Sequence, residues 1–246
     1  AGAVLLGICE PQMTGIGGDC FVLFSPAGSD EIKSLNGSGT APSLASANDL
    51  RDKGFRSIPL NSPHAVTIPC AIDAFCKLSN DWGKLGLDKI LQPAIHYAER
   101  GVPIAERVAY DLAELTDTLN PSGREFYLPW GRAPKVGELF AHHGQVKVLK
   151  EIAKHGRDGF YSGEVAEDMV NSLQKLGGLQ TMDDFSNMES FYTNPISRNF
   201  AKFELVEHPP NSQGATAILL FNILKHFAIS SMDPFGFSGY LSAMLP

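Results

Sequence analysis

Between Pro11 and Pro42, two short apolar runs are hemmed in by glycine, proline and small polar residues, and this punctuation narrows what the chain can fold into more than any other feature. Pro11-Gln12-Met13-Thr14-Gly15-Ile16-Gly17-Gly18-Asp19 leads into Cys20-Phe21-Val22-Leu23-Phe24, and Ile32-Lys33-Ser34-Leu35 runs straight into Asn36-Gly37-Ser38-Gly39-Thr40-Ala41-Pro42. Short runs of Val, Leu and Phe bounded by Gly and Pro favour strands, and Ser25-Pro26-Ala27-Gly28-Ser29-Asp30 has turn chemistry, so the segment reads as a hairpin. Its second strand opens into a loop whose glycines leave backbone amides free to face a ligand, with Asn36 and Ser38 adding side-chain donors and acceptors. Asn36, Gly37, Ser38 and Gly39 are therefore the candidate substrate-binding residues. A plain strand-ending turn uses the same residues, so composition alone leaves both readings open.

At 246 residues and 43% hydrophobic content the chain can bury a substantial core, as one large domain or two small ones. No apolar run reaches the roughly 18 residues that a membrane-spanning helix needs, and the longest, Ala215 to Leu224, reads as a core helix. A net charge of -7 argues against nucleic acid as a partner, because phosphate binding requires a concentrated basic surface. Cys9, Cys20, Cys70 and Cys76 have neither CxxC spacing nor a dense framework, and their apolar settings suggest buried thiols, though the spacing permits one disulfide. Such thiols favour a reducing, cytoplasmic compartment over an exported one without fixing it. The opening run Ala1 to Cys9 looks like the end of a helix cut from a longer product.

Beyond the hairpin, Asn48 to Phe55 reads as a short polar helix, and Pro59, Pro63 and Pro69 punctuate an irregular connection with Ala65 to Ile68 extended. Apolar residues recur at helical spacing from Cys70 to Leu78. Pro93 suits the first turn of a helix that Gly101 ends, and Val108, Leu112, Leu115 and Leu119 form an amphipathic stripe from Ile104 to Leu119. Asn120-Pro121 breaks that helix, and no period is evident up to Gly137. Leu139 to His155 resumes the helical pattern, with His142-His143 near its start; adjacent helical histidines diverge by about 100° and make a poor chelating pair. An aromatic turn at Gly159–Gly163 precedes a helix with the stripe Val165, Met169, Leu173 and Leu176, stopped by Gly177-Gly178. Thr181 and Asp184 have capping-box spacing. After Pro195 the chain turns extended, with a strand at Phe203 to Glu207, and the helix Ala215 to Phe227, apolar on nearly every side, belongs between layers. Met232 to Pro246 has no element signal. Strands at both ends and helices between them give an α+β chain whose sheet is completed by distant segments.

No self-contained active site is present in this pattern. GxSxG, HExxH, P-loop and dinucleotide motifs are missing, and Gly15-Ile16-Gly17-Gly18 precedes a strand where a dinucleotide fingerprint follows one. Asp19, Asp73 and Asp183-Asp184 read as caps or solvated carboxylates, and His208 as an ordinary strand-end residue. No cofactor and no metal is expected.

The order of landmarks is informative in another way. Glu10-Pro11 with Gly15-Ile16-Gly17-Gly18, then Ala41-Pro42, Pro69, Pro93-Ala94-Ile95 with Ala98-Glu99 and Gly101, Phe160-Tyr161-Ser162-Gly163, Gly177-Gly178-Leu179 with Asp184, and Pro209-Pro210 through Gly214 resembles the large chain of the gamma-glutamyltranspeptidase family along nearly its whole length. The resemblance implies an N-terminal nucleophile (Ntn) hydrolase fold, a four-layer αββα sandwich. It implies a proenzyme that cuts itself into a large and a small chain, with the nucleophile, a threonine, first in the small chain. On this reading residues 1–246 form a single domain, the large-chain part, with further sequence on both sides. Its partners are the small chain of the same proenzyme and a small-molecule amide substrate.

The chemistry agrees with what is missing. An N-terminal nucleophile is activated by its own α-amine, whose ordinary pKa is about 7.7–8.0. Ala1 has no hydroxyl and every threonine is internal, so no catalytic residue is assigned in this chain. Typical members carry an Arg-Glu pair before the Ala-Pro, the arginine gripping the α-carboxylate of a γ-glutamyl donor, where this chain has Ser38-Gly39. Losing such a charge-assisted contact costs about 1.5–3 kcal/mol, so Asn36-Gly37-Ser38-Gly39 looks more like acylase-type or small-amide hydrolase relatives. Pro69-Cys70, where the family has Pro-Gly, concerns a turn. Two alternatives remain: glutathione hydrolysis with Arg107 or Arg51 reaching the carboxylate, and a non-catalytic binding module.

Overall fold

The glycine- and proline-bounded runs form the strands expected of them, β1 (Cys20–Phe24) and β2 (Lys33–Gly37), which are hydrogen-bonded neighbours. A computed structural model describes residues 1–200 and 202–227; the featureless run Met232 to Pro246 lies outside them. The chain divides into two compact units: the first holds Ala1–Cys20 and Gly37–Phe191, the second Phe21–Asn36 and the chain from Tyr192 onward.

In the first unit the helices are α1 (Gly2–Cys9), α2 (Ala47–Asp52), α3 (Ala71–Trp82), α4 (Leu87–Ile90), α5 (Gln92–Arg100), α6 (Glu106–Leu115), α7 (Pro121–Tyr127), α8 (His143–His155), α9 (Asp158–Tyr161), α10 (Gly163–Lys175) and α11 (Met182–Ser186). The short strands β3 (Val102–Pro103) and β4 (Leu139–Phe140) pair antiparallel. Most of the periodic residues turn inward, as amphipathic patterning requires, while Leu115 and Leu176, towards the ends of their stripes, stay exposed. Ile8, Ile72, Cys76, Ala94, Ile95, Ala98, Leu149, Ile152, Phe160, Val165 and Phe185 form one buried cluster, each large apolar side chain contributing about 1.5–3 kcal/mol by leaving water. A smaller cluster joins Ile104, Val108, Leu112 and Phe140.

Where the elements depart from the sequence pattern, local hydrogen bonding explains it. The stripe from Val108 is buried only through Leu112: α6 ends at Leu115, because the Thr116 hydroxyl donates back to the Leu112 carbonyl at 3.0 Å and Thr118 to Leu115 at 2.7 Å. Asn120-Pro121 is a start as well as a stop, since the Asn120 side chain accepts the Gly123 amide at 2.7 Å and caps α7. The run from Leu139 is split, with β4 first and α8 beginning at His143, so His142 sits at the N-cap position and the two histidines do not share a helix. The aromatic turn is the short buried helix α9. The capping box forms as spaced: Asp184 accepts the Thr181 amide, and the Thr181 hydroxyl accepts the Asp184 amide.

The second unit contains β6 (Ile196–Phe200) antiparallel to β7 (Phe203–Glu207), in register from Ile196 opposite Glu207 to Phe200 opposite Phe203. α12 (Gly214–Leu224) packs on this pair, with the Phe200 and Phe221 rings edge to face at 4.8 Å. β5 (Phe191–Thr193) follows β2 in a sheet of order β1-β2-β5. Contrary to a place between layers, α12 leaves Leu219 58%, Leu220 51% and Ile223 51% exposed, because it packs chiefly on the β6–β7 ribbon, which covers one side. No described helix is long and apolar enough to cross a membrane.

Candidate functional site

Three segments of the first unit are stitched together around the predicted loop. The Cys70 and Ala71 amides donate to the Gly18 carbonyl at 3.2 and 3.0 Å, tying the glycine run to the start of α3. The Ile68 amide donates to the Thr40 carbonyl at 2.9 Å, laying the loop along the extended 66–70 segment. Asp19 closes the arrangement: one carboxylate oxygen accepts the Gly39 amide at 2.7 Å and the other the Ser38 hydroxyl at 3.4 Å.

This geometry corrects the loop as expected from sequence. Asn36 and Gly37 belong to β2 and are buried, so only Ser38 and Gly39 of the four candidates lie beyond the strand. Nor is the Gly39 amide free, since Asp19 holds it. Both glycines are there for close approach: a Cβ on Gly39 would lie 2.0 Å from the Ile68 carbonyl oxygen, and one on Gly37 would lie 2.6 Å from the Ala74 methyl. Gly39→Ala is therefore expected to destabilise the protein by about 1–3 kcal/mol through overpacking, read as a lowered unfolding midpoint; an unchanged midpoint would mean that the loop yields freely.

The floor under the loop is fastened from below. Tyr161 donates its hydroxyl hydrogen to the Pro69 carbonyl at 2.9 Å and accepts the Asp73 amide at 3.1 Å. Asp73, 7% exposed, accepts Arg157 Nε at 2.6 Å on one oxygen, and the Ser190 amide and hydroxyl at 2.7 and 2.6 Å on the other. Arg157 also donates to the Ser186 and Met188 carbonyls and lies over the Tyr161 ring, 4.6 Å from its centre. Burial, with the charges of Asp73 and Asp19, pushes the Cys70 thiol up to about 12, and burial and Asp73 push Cys76 to about 11. Neither is a thiolate nucleophile near neutrality.

In the second unit Asn36, 4% exposed, donates from Nδ2 to Asn211 Oδ1 at 2.9 Å. His208, also 4% exposed, sets Nε2 3.1 Å from the Leu35 carbonyl and Nδ1 3.0 Å from that of Pro209, with its ring edge to face with Phe21 at 5.0 Å. This side chain locks β2 to the turn after β7, a firmer role than an ordinary strand-end residue has. Sequence reasoning missed Asp19 and Asn211. The available signals were an acidic residue placed directly after a glycine run, and an amide side chain directly after a double proline.

The candidate cations are engaged elsewhere: Arg107 pairs with Asp111 at 2.8 Å and Arg51 donates to Asn48 at 3.1 Å, each on its own helix. Among the described residues no three His, Cys, Asp or Glu side chains cluster as metal ligands. A groove of about 680 Å3 lies between α8 and α10, walled by Phe126, Tyr127, His142, Val148 and Met169.

A family model described as gamma-glutamyltranspeptidase matches residues 1–241. The glutathione hydrolase-like YwrD proenzyme of Bacillus subtilis is 32% identical over 240 residues, which cover 96% of this chain and 45% of that protein. The oxamate amidohydrolase proenzyme of Klebsiella pneumoniae is 29% identical over 242 residues, covering 95% of this chain and 45% of that protein. The chain thus spans about half the length of these curated relatives. In structure it resembles a cephalosporin acylase from Bacillus halodurans, with a TM-score of 0.85, 33% identity, and coverage of 92% of this chain and 43% of that one. The fold, with its mixed helices and strands, and the sequence agree that the chain belongs to the gamma-glutamyltranspeptidase family.

Proposed function

We propose that this chain is the large-chain part of a self-processing amidohydrolase, in which a threonine at the start of a small chain attacks an amide carbonyl and water or an amine takes the acyl group. The α-amine of that threonine serves as base, and backbone amides stabilise the oxyanion. Support comes from relatives that are proenzymes and amide hydrolases by name. The bare face of α12 is what a four-layer αββα sandwich would leave when its other half is supplied separately. Asn36, Gly37, Ser38 and Gly39 are assigned to the acyl side of the pocket, Asn36 and Gly37 through β2 and Ser38 and Gly39 through the loop it enters.

The observation that carries the substrate reading is the Ser38-Gly39 pair. A glutamate at Gly39 would need a Cβ where the Ile68 carbonyl stands, and a serine at 38 brings no charge to a carboxylate. Both features favour a simple acyl amide over a γ-glutamyl donor, and the engagement of Arg51 and Arg107 on their own helices points the same way. The test is the full-length gene product on a denaturing gel. Two chains are expected, the smaller beginning with threonine, and Thr→Ala at that junction is expected to leave one uncut, inactive chain. A single chain in the wild type, or a junction without threonine, would instead favour a binding module.

A further inference from the structure

The loop assigned to the acyl side carries a fixed negative charge. Asp19 engages the two donors that a bound anion would need, the Gly39 amide at 2.7 Å and the Ser38 hydroxyl at 3.4 Å. It has no ion-pair partner among the described residues, and its side chain is exposed. Next to Gly39 the loop is tied down, since the Thr40 carbonyl accepts the Ile68 amide at 2.9 Å. A substrate carboxylate seeking these donors would have to displace Asp19 or sit beside it, whereas an ammonium group would meet a carboxylate ready to accept its hydrogen bonds.

We propose that Asp19 is the specificity-determining residue on the acyl side, selecting acyl groups that carry an ammonium group and rejecting those that carry a carboxylate. This rests on the amidohydrolase reading above and adds a charge preference to it. Asp19 touches no bond that breaks; it acts through charge and by holding the loop.

Four anilides with one leaving group isolate the effect in the processed two-chain enzyme: butyryl, 4-aminobutyryl, glutaryl and γ-glutamyl p-nitroanilide. The ammonium-bearing 4-aminobutyryl compound is expected to exceed the glutaryl compound by about tenfold or more in kcat/KM, mainly through KM. Asp19→Asn keeps an oxygen acceptor for the Gly39 amide while removing the charge, and should bring the two compounds to within about threefold. A wild-type enzyme that prefers the glutaryl compound overturns the proposal without any variant, and so does an Asn variant that folds with the wild-type ratio. If no anilide is cleaved, the amidase reading fails separately. The charge preference is then decided by titrating butylamine and butanoate against the Gly39 amide resonance, where tighter butanoate overturns it.

Discussion

Replacing Asp73 with alanine should destabilise the full-length protein by about 3–5 kcal/mol, the range for removing one partner of a buried ion pair. The size follows from what would be orphaned. Arg157 Nε, the Ser190 amide and the Ser190 hydroxyl all end on the Asp73 carboxylate, at distances of 2.6 to 2.7 Å. With the carboxylate gone, a guanidinium and two further donors face a cavity that water reaches poorly. Urea unfolding monitored by circular dichroism would measure the loss, and Arg157→Leu added to Asp73→Ala should restore part of it, giving a coupling energy that isolates the pair. A single-mutant loss under about 1 kcal/mol would mean that the network is better hydrated than its burial implies. Because Tyr161 and α3 tie this network to Pro69, beside the Ile68 carbonyl under Gly39, the same variant should also lower turnover in molecules that remain folded.

That network marks the boundary of what the sequence could tell. The helices with strong periodicity, such as α3, α5 and α10, and the Thr181–Asp184 capping box follow from rules acting within a few residues, and they form where the pattern puts them. Asp73 pairs with Arg157 across 84 residues and Asn36 with Asn211 across 175. No local rule pairs such residues, so Asp73 read as a solvated carboxylate and Asn36 as a loop residue. Asp19 lies between these cases. It stands inside the very stretch that dominates the sequence, yet its partners Ser38 and Gly39 are 19 and 20 residues away, beyond a hairpin. Composition and the order of family landmarks singled out this loop as a candidate, and only the folded chain shows a carboxylate accepting from its Gly39 amide and Ser38 hydroxyl.

The exposed apolar residues of α12 follow the same logic at a larger scale. A segment hydrophobic on all sides is a statement about its final surroundings, and on the two-chain reading proposed above part of those surroundings is the small chain. The apolar pattern fits the proposed two-chain assembly, while among the described residues it leaves Leu219, Leu220 and Ile223 exposed.

A pH titration provides the other large effect. His142 is 2% exposed, held by its backbone amide to the Ala98 carbonyl at 2.8 Å, with the rings of Phe140 and Phe126 at 4.5 and 5.0 Å. Its Nε2 has no hydrogen-bond partner among the described residues, and burial lowers its pKa to about 4. The folded state thus holds the ring neutral while the unfolded chain takes up a proton near pH 6.5. Stability from this residue is complete above pH 6.5 and falls as pH drops to about 4, by about 1.4 kcal/mol per unit at most and about 3 kcal/mol in total. Glu138, held near 2 by Arg132, and Asp184, lowered by bonds from Ser43 and Thr181 that outweigh its burial, act at the acid end of this range and below it. His142→Phe fits an aromatic setting and cannot take up the proton, so its urea midpoints between pH 6.5 and 4 should decline much less than those of the wild type. Parallel curves would mean that the wild-type ring gains a proton in the folded protein as readily as in the unfolded chain, and that the Nε2 site is not dry.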